Sequence, residues 1–115
     1  MNTELLKLAE DLLPHIAAYP ESVRSVVADT ILSGGPATRV EVDVAFGDIS
    51  DWWSDLPHEA GSVPLSAGDL YLSLRFFMHA VQKYRWNTAL PFHDTTDSAR
   101  TCYKNYIKAL TKETT

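Results

Sequence analysis

The chain has 115 residues, 45% of them hydrophobic and 22% charged, which is typical of a single globular domain with a buried core and excludes a disordered or fibrous chain. Its apolar runs are far shorter than the roughly 20 residues that span a bilayer, and its lone cysteine, Cys102, excludes an internal disulfide or a cysteine-based zinc site. With a net charge of −5, it is expected to be one cytoplasmic domain over residues 1–115, without contact to membrane.

The first predicted element is a helix that begins after Asn2 or Thr3, either of which can cap it. Apolar residues recur at helical spacing over residues 5–16. Pro14 lacks a backbone N–H and clashes with the preceding turn, so we expect this helix to end near Leu13 or to bend there.

A second helix is predicted over residues 20–33. Pro20 suits the first helical position, the apolar residues that follow form a stripe, and the glycine pair after Ser33 is a typical helix stop.

The pattern changes at TRVEVDVAF, residues 38–46. Its valines and Phe46 alternate with mostly polar residues, which predicts a strand over 39–46 with one covered face. Because a lone strand leaves its N–H and C=O groups unpaired, it needs a mate. The candidates are residues 61–66, residues 87–93, a second copy of the chain or another protein, and a short internal hairpin is favoured.

Two further helices are predicted in the middle of the chain. Ser50 can cap a short one over residues 51–56, bounded by Pro57. The strongest helical pattern runs from Ser66 to Trp86, where Ser66 and Asp69 resemble a capping pair.

The helix over 66–86 is apolar on two sides. One face carries Leu70, Leu74, Phe77, Met78, Val81 and Tyr84, and the other carries Leu72, Phe76, His79 and Lys83. This predicts the central helix of a bundle. The alternative is that Leu72 and Phe76 are exposed for a partner.

A final helix is predicted after Thr95 and Thr96, with Arg100, Lys104, Lys108 and Lys112 on its outer face. The predicted fold is therefore mostly α: a compact bundle of about four main helices, with one short strand or small β-hairpin insertion. Tyr103 and Tyr106 lie beside this basic row in sequence but are expected on the other face of the helix, and the net charge is negative, so direct nucleic-acid binding is not expected.

No motif in the sequence specifies a reaction. The four histidines lack the spacing of a zinc or proton-transfer site, and we expect no metal, no cofactor and no catalytic residue. A small enzyme stays an alternative, with His79 or His93 and the acids of 48–59 as its candidate groups. Asp48, Asp51 and Asp55 lack the spacing of a calcium loop.

Charge is distributed unevenly along the chain. Residues 1–65 hold eleven acids and three bases, whereas residues 66–115 hold four acids and seven bases. Such halves either neutralise each other within the fold or between copies, or attract a basic partner to the acidic side.

The most acidic segment, GDISDWWSDLPHEAG over residues 47–61, contains two adjacent tryptophans. Adjacent side chains on a helix point about 100° apart, so one ring is expected to be buried and the other partly exposed among acids. The alternative is that both rings cap the bundle. The predicted partner-binding residues are Asp48, Asp51, Trp52, Trp53, Asp55 and Glu59.

In size, acidity and helical content the chain resembles the bacterial immunity proteins that block cognate nuclease toxins. The resemblance is one of overall character and carries no motif or site. It implies a small acidic protein that neutralises or sequesters a basic protein, with a toxin as a candidate partner. The alternative from another class is a structural or adaptor subunit that forms a homodimer through strand 39–46 or the Leu72 and Phe76 face.

Overall fold

The computed structural model describes residues 3–57, 63–86 and 95–113. Its elements are α1 Thr3–Leu12, a 3₁₀ turn Leu13–His15, α2 Glu21–Ser33, α3 Arg39–Asp55, α4 Leu65–Trp86 and α5 Thr95–Glu113. The prediction of a mostly helical bundle is confirmed, but the described residues form five α-helices and contain no strand.

The first two helices end where the sequence predicts. The α-helical part of α1 stops at Leu12, and Pro14 lies in the 3₁₀ turn that follows. At the end of α2, Gly34 has a φ of 80°, a conformation that costs glycine little, and its N–H donates to the carbonyl of Thr30 at 3.1 Å. The Gly35 N–H donates to the Asp29 carbonyl at 3.1 Å, so the two glycines satisfy two carbonyls in the last turns of α2.

The predicted strand over residues 39–46 is wrong, because these residues form the first half of α3. Thr38 and Glu41 make a capping box at the helix start, in which the Thr38 N–H donates to the Glu41 carboxylate at 2.9 Å. The predicted hairpin is accordingly not formed by this segment. A local hydrogen-bonding signal at residues 38–41 outweighs the alternation of the valines that follow.

Burial along α3 follows the helical period. Of the three alternating valines, only Val42 is buried, together with Ala45 and Ile49 farther along, whereas Val40 and Val44 are exposed by 66% and 50%. Residues 51–55 are helical as predicted, but the prediction of a separate short helix capped by Ser50 is wrong, since Ser50 lies inside α3.

The helix α4 is central, as predicted, and packs against α1, α3 and α5. Its predicted core face is buried except for Tyr84, which is 50% exposed. Ser66 does not pair with Asp69 as a cap. Its N–H and Oγ instead donate to the carboxylate of Glu113 at 2.9 and 2.8 Å, so the end of α5 satisfies a free amide in the first turn of α4.

Candidate functional site

One face of α3 points away from the core. Val40, Val44, Asp48, Asp51 and Asp55 follow one another at intervals of three or four residues, which places them along one side of the helix. All five side chains are exposed. We call the last three, which lie in the C-terminal half of the helix, the acidic face of α3.

The acidic face is placed where its charges oppose helix stability. The C-terminal end of a helix favours cations, yet the last turn of α3 has no basic residue and ends at Asp55. Asp51 lies one turn from both Asp48 and Asp55, so like charges are neighbours. None of the three makes an ion pair within the described residues. Acids such as Asp51 and Asp55, whose repulsion and position oppose the stability of the helix, favour a role outside folding.

An open groove of about 500 Å³ runs between α2 and α3 beside the acidic face. Its apolar lining comes from Val26, Pro36, Val40 and Val44, and its carboxylates come from Glu21, Asp29, Glu41 and Asp48. No lysine or arginine is among the described residues that line it. The α2–α3 groove therefore combines an apolar part of its lining, which we call its floor, with carboxylates from both helices.

Two hydrogen bonds of α2 side chains lie in or near this groove. Ser22 Oγ donates to the Asp48 carboxylate at 2.6 Å, which joins α2 to α3. Arg24, a base on α2, donates from Nε to the Tyr19 carbonyl at 2.9 Å and does not line the groove.

The two tryptophans of α3 have ring centres 6.5 Å apart, and each packs against a tyrosine. Both are half-buried. Trp52 stacks on Tyr19 with ring centres 4.1 Å apart, and Trp53 stacks on Tyr71 of α4 at 4.4 Å. The structure thus differs from the prediction of one buried and one partly exposed ring among acids and matches the alternative, in which both rings cap the bundle. Both rings instead pack onto the bundle, and Glu59, the last predicted binding residue, lies outside the described residues.

Sequence reasoning did not find the groove. The strand predicted over 39–46 separates Val40 and Val44 from the acids that follow, and nothing local links them to α2. The signal that identifies them is the capping pair Thr38 and Glu41, because a helix that begins there places both valines in line with Asp48.

His79 packs against an aromatic ring. It is half-buried, with its ring centre 4.7 Å from that of Phe46. Burial, and then the charge of Arg75, lowers the pKa of His79 below its ordinary value, so the imidazole is neutral at pH 7. No carboxylate is hydrogen-bonded to it within the described residues. The other candidate catalytic histidine, His93, lies outside those residues.

The remaining candidate groups show no built reaction centre. Cys102 is half-buried, and burial together with nearby Asp69 raises the pKa of its thiol, which favours the weakly nucleophilic protonated form. Across residues 3–57, 63–86 and 95–113, no three metal-ligating side chains come together. The helices in these ranges are also too short or too polar to cross a bilayer.

The α2–α3 groove and the acidic face of α3 are the strongest candidate site, since they combine exposed apolar side chains with carboxylates that the described fold leaves without ion pairs. Comparison with known proteins adds no relative to this picture: no protein-family model, no curated protein and no solved structure matches the chain.

Proposed function

We propose that the chain is a small acidic protein that binds and neutralises a basic protein partner. The observation that carries the proposal is the joint negative surface of the α2–α3 groove and the acidic face of α3. A basic surface placed against it relieves the repulsion among these carboxylates and satisfies their charge. The same field attracts the partner over a distance and speeds its approach.

A nuclease toxin is a partner of this kind, because the surface on which such an enzyme holds nucleic acid is basic. An acidic protein seated there blocks access by the substrate without any catalysis of its own. In this proposal the protein acts in the cytoplasm. Asp48, Asp51 and Asp55 contact the partner. Trp52 and Trp53 do not, and they stabilise the position of α3 through their contacts with Tyr19 and Tyr71.

The test is capture of partners from the native cell on tagged protein, compared with an Asp51→Asn/Asp55→Asn variant. This variant keeps the shape of α3 and removes two charges from its acidic face. The matched control, Glu4→Gln/Glu10→Gln, removes two charges from exposed positions of α1.

We expect a basic protein to be retained by the wild type and by the control but lost by the variant at Asp51 and Asp55. Its affinity, measured by calorimetry, is expected to fall as salt rises from about 50 to about 300 mM. Equal retention by all three proteins, or binding that does not depend on salt, contradicts the proposal.

Self-association is a second candidate function, because Leu72 is 46% exposed on the outer side of α4. The route through a strand over 39–46 is removed by the helical structure of that segment. Sedimentation velocity of the wild type and of Leu72→Glu is the check. A dimer that the substitution dissociates supports this function, and a monomeric wild type rejects it.

A further inference from the structure

We infer that the α2–α3 groove receives a cationic amphipathic helix of the basic partner, whose apolar side chains cover Val40 and Val44. The inference rests on the proposed function and specifies the shape and chemistry of the bound segment. It is carried by the exposed valines, by the position of the carboxylates and by the length of the groove.

The apolar floor of the groove exposes hydrophobic surface to water, which an apolar ligand would bury. Val40 and Val44 are one helical turn apart on α3, and 66% and 50% of their surfaces are exposed to water. The groove between two neighbouring helices accepts the ridge of a third, whose side chains at intervals of three and four residues fill it. Burial of these valines supplies the apolar part of binding, which charge alone does not provide.

The carboxylates of the groove come from both of the helices that form it. Glu21 and Asp29 belong to α2, whereas Glu41 and Asp48 belong to α3. A segment bound between them therefore needs basic residues on both flanks of an apolar stripe, which describes an amphipathic helix rich in lysine or arginine. A β-strand gains most of its affinity from a free sheet edge, and the described residues of this protein contain no strand.

The dimensions favour a short helix. Glu21 and Asp29 are eight residues apart on α2, a distance of about 12 Å along a helix, which matches two to three turns of the bound segment. Ser22 already fixes the Asp48 carboxylate at 2.6 Å, so this group loses little freedom on binding. Asp51 and Asp55 continue the negative surface past the groove.

The probe for this inference is a synthetic peptide of leucine and lysine, three to four turns long, with leucines along one helical face. A second peptide has the same composition in scrambled order and no apolar face. Binding is measured by fluorescence anisotropy, and the site is mapped from amide shifts in ¹⁵N spectra. We expect the amphipathic peptide to bind at least about tenfold more tightly than the scrambled one and to shift amides of residues 21–29 and 40–48.

The decisive variant is Val40→Glu/Val44→Glu, which removes the apolar floor and adds two negative charges. Glutamate is a better helix former than valine, and both positions are exposed, so the fold is expected to persist, as circular dichroism will verify. The matched control is Leu72→Glu, which makes the same kind of change at a side chain 46% exposed on α4.

Attraction between charges alone predicts that the double glutamate variant binds the amphipathic peptide more tightly than the wild type does. Insertion of an apolar ridge predicts binding weaker by about tenfold or more, with the Leu72→Glu control unchanged. Tighter binding by the variant, equal binding of the two peptides, or no binding of either peptide overturns the inference. The proposed function is judged separately, by whether capture of a basic partner depends on Asp51 and Asp55, whatever the effect of the valine substitutions.

Discussion

At the scale of single residues, Asp51 has a like-charged neighbour one helical turn away on each side, Asp48 and Asp55, and lies near the negative end of the α3 dipole. Asp51→Asn is therefore expected to raise the free energy of unfolding by about 0.5 kcal/mol while it weakens binding of the basic partner. Urea denaturation measures the first effect and calorimetry the second.

The control for this prediction is Glu21, an acid in the first turn of α2, where the helix dipole favours it. Glu21→Gln should lower stability slightly. A loss of stability on Asp51→Asn would show that the aspartate serves the fold and would remove the main argument for a binding role.

Trp52 is expected to contribute to stability through Tyr19, because the two ring centres are only 4.1 Å apart. Trp52→Ala should reduce the free energy of unfolding by about 2 kcal/mol, less than for a fully buried ring, and Trp52→Phe by clearly less. Urea denaturation of the three proteins tests this order. Equal stability of all three would mean that the ring does not hold α3 against the bundle.

His79 gives the protein a specific pH dependence. Burial and Arg75 lower its pKa in the fold, whereas the unfolded chain keeps a value of about 6.5. The unfolded state then binds more protons between the two values, so this contribution is fully present above about pH 6.5 and is lost as pH falls toward the lower folded pKa.

The measurement is the urea midpoint at about pH 7.5 and about pH 5.5 for the wild type and for His79→Gln. We expect the wild type to lose more stability on acidification than the variant does. An identical loss in both proteins would place the pH dependence elsewhere.

At the scale of secondary structure, the start of α3 depends on the Thr38 and Glu41 capping box. Thr38→Ala should lower the free energy of unfolding by about 1 kcal/mol, since it removes one partner of the box. Ser50 is the matched position: it lies inside the helix, so Ser50→Ala is expected to be neutral or slightly stabilising. Denaturation curves in which Ser50→Ala costs more would favour the short helix that the sequence predicts.

The elements that can be predicted from sequence are those in which several local signals agree. In α2, the apolar stripe and the glycine stop indicate one helix, and α4 has a long uninterrupted helical period. In α3 the signals conflict, because Val40, Val42 and Val44 alternate like a strand while Thr38 and Glu41 start a helix. The helix that forms packs against α2 and α4, and these long-range contacts, which the local pattern does not contain, add to the capping signal.

At the scale of the whole molecule, the two charged halves of the sequence remain largely on different helices. The acidic groove lies between α2 and α3, whereas the basic row lies on α5, which packs on α4 and α1. An ion pair between Arg100 Nη1 and Asp11 Oδ2, 2.6 Å apart, joins α5 to α1, so the acidic and basic halves of the sequence also contact each other.

The candidate site could be predicted from the sequence only in part, because some of its residues come together only when the helices pack. Asp48, Asp51 and Asp55 are near one another in sequence, so their common face follows from helical spacing. Glu21 and Asp29 join them only because α2 packs beside α3, a long-range contact that composition and spacing do not specify. The tryptophans were predicted to bind a partner because they are large aromatic residues, but their contacts with Tyr19 and Tyr71 are tertiary contacts that the local sequence does not specify.

The helical state of residues 39–46 has a consequence for the unfolded protein. When the chain unfolds, these residues are no longer helical, and an extended conformation places the alternating valines on one face, as in segments that pair between chains in aggregates. Their charged residues, among them Glu41 and Asp43, oppose such pairing without abolishing it. The capping box that starts α3 thus also holds an aggregation-prone segment in a helix, where it is not free to pair with other chains. The fraction of protein lost to aggregation during refolding should therefore increase with protein concentration.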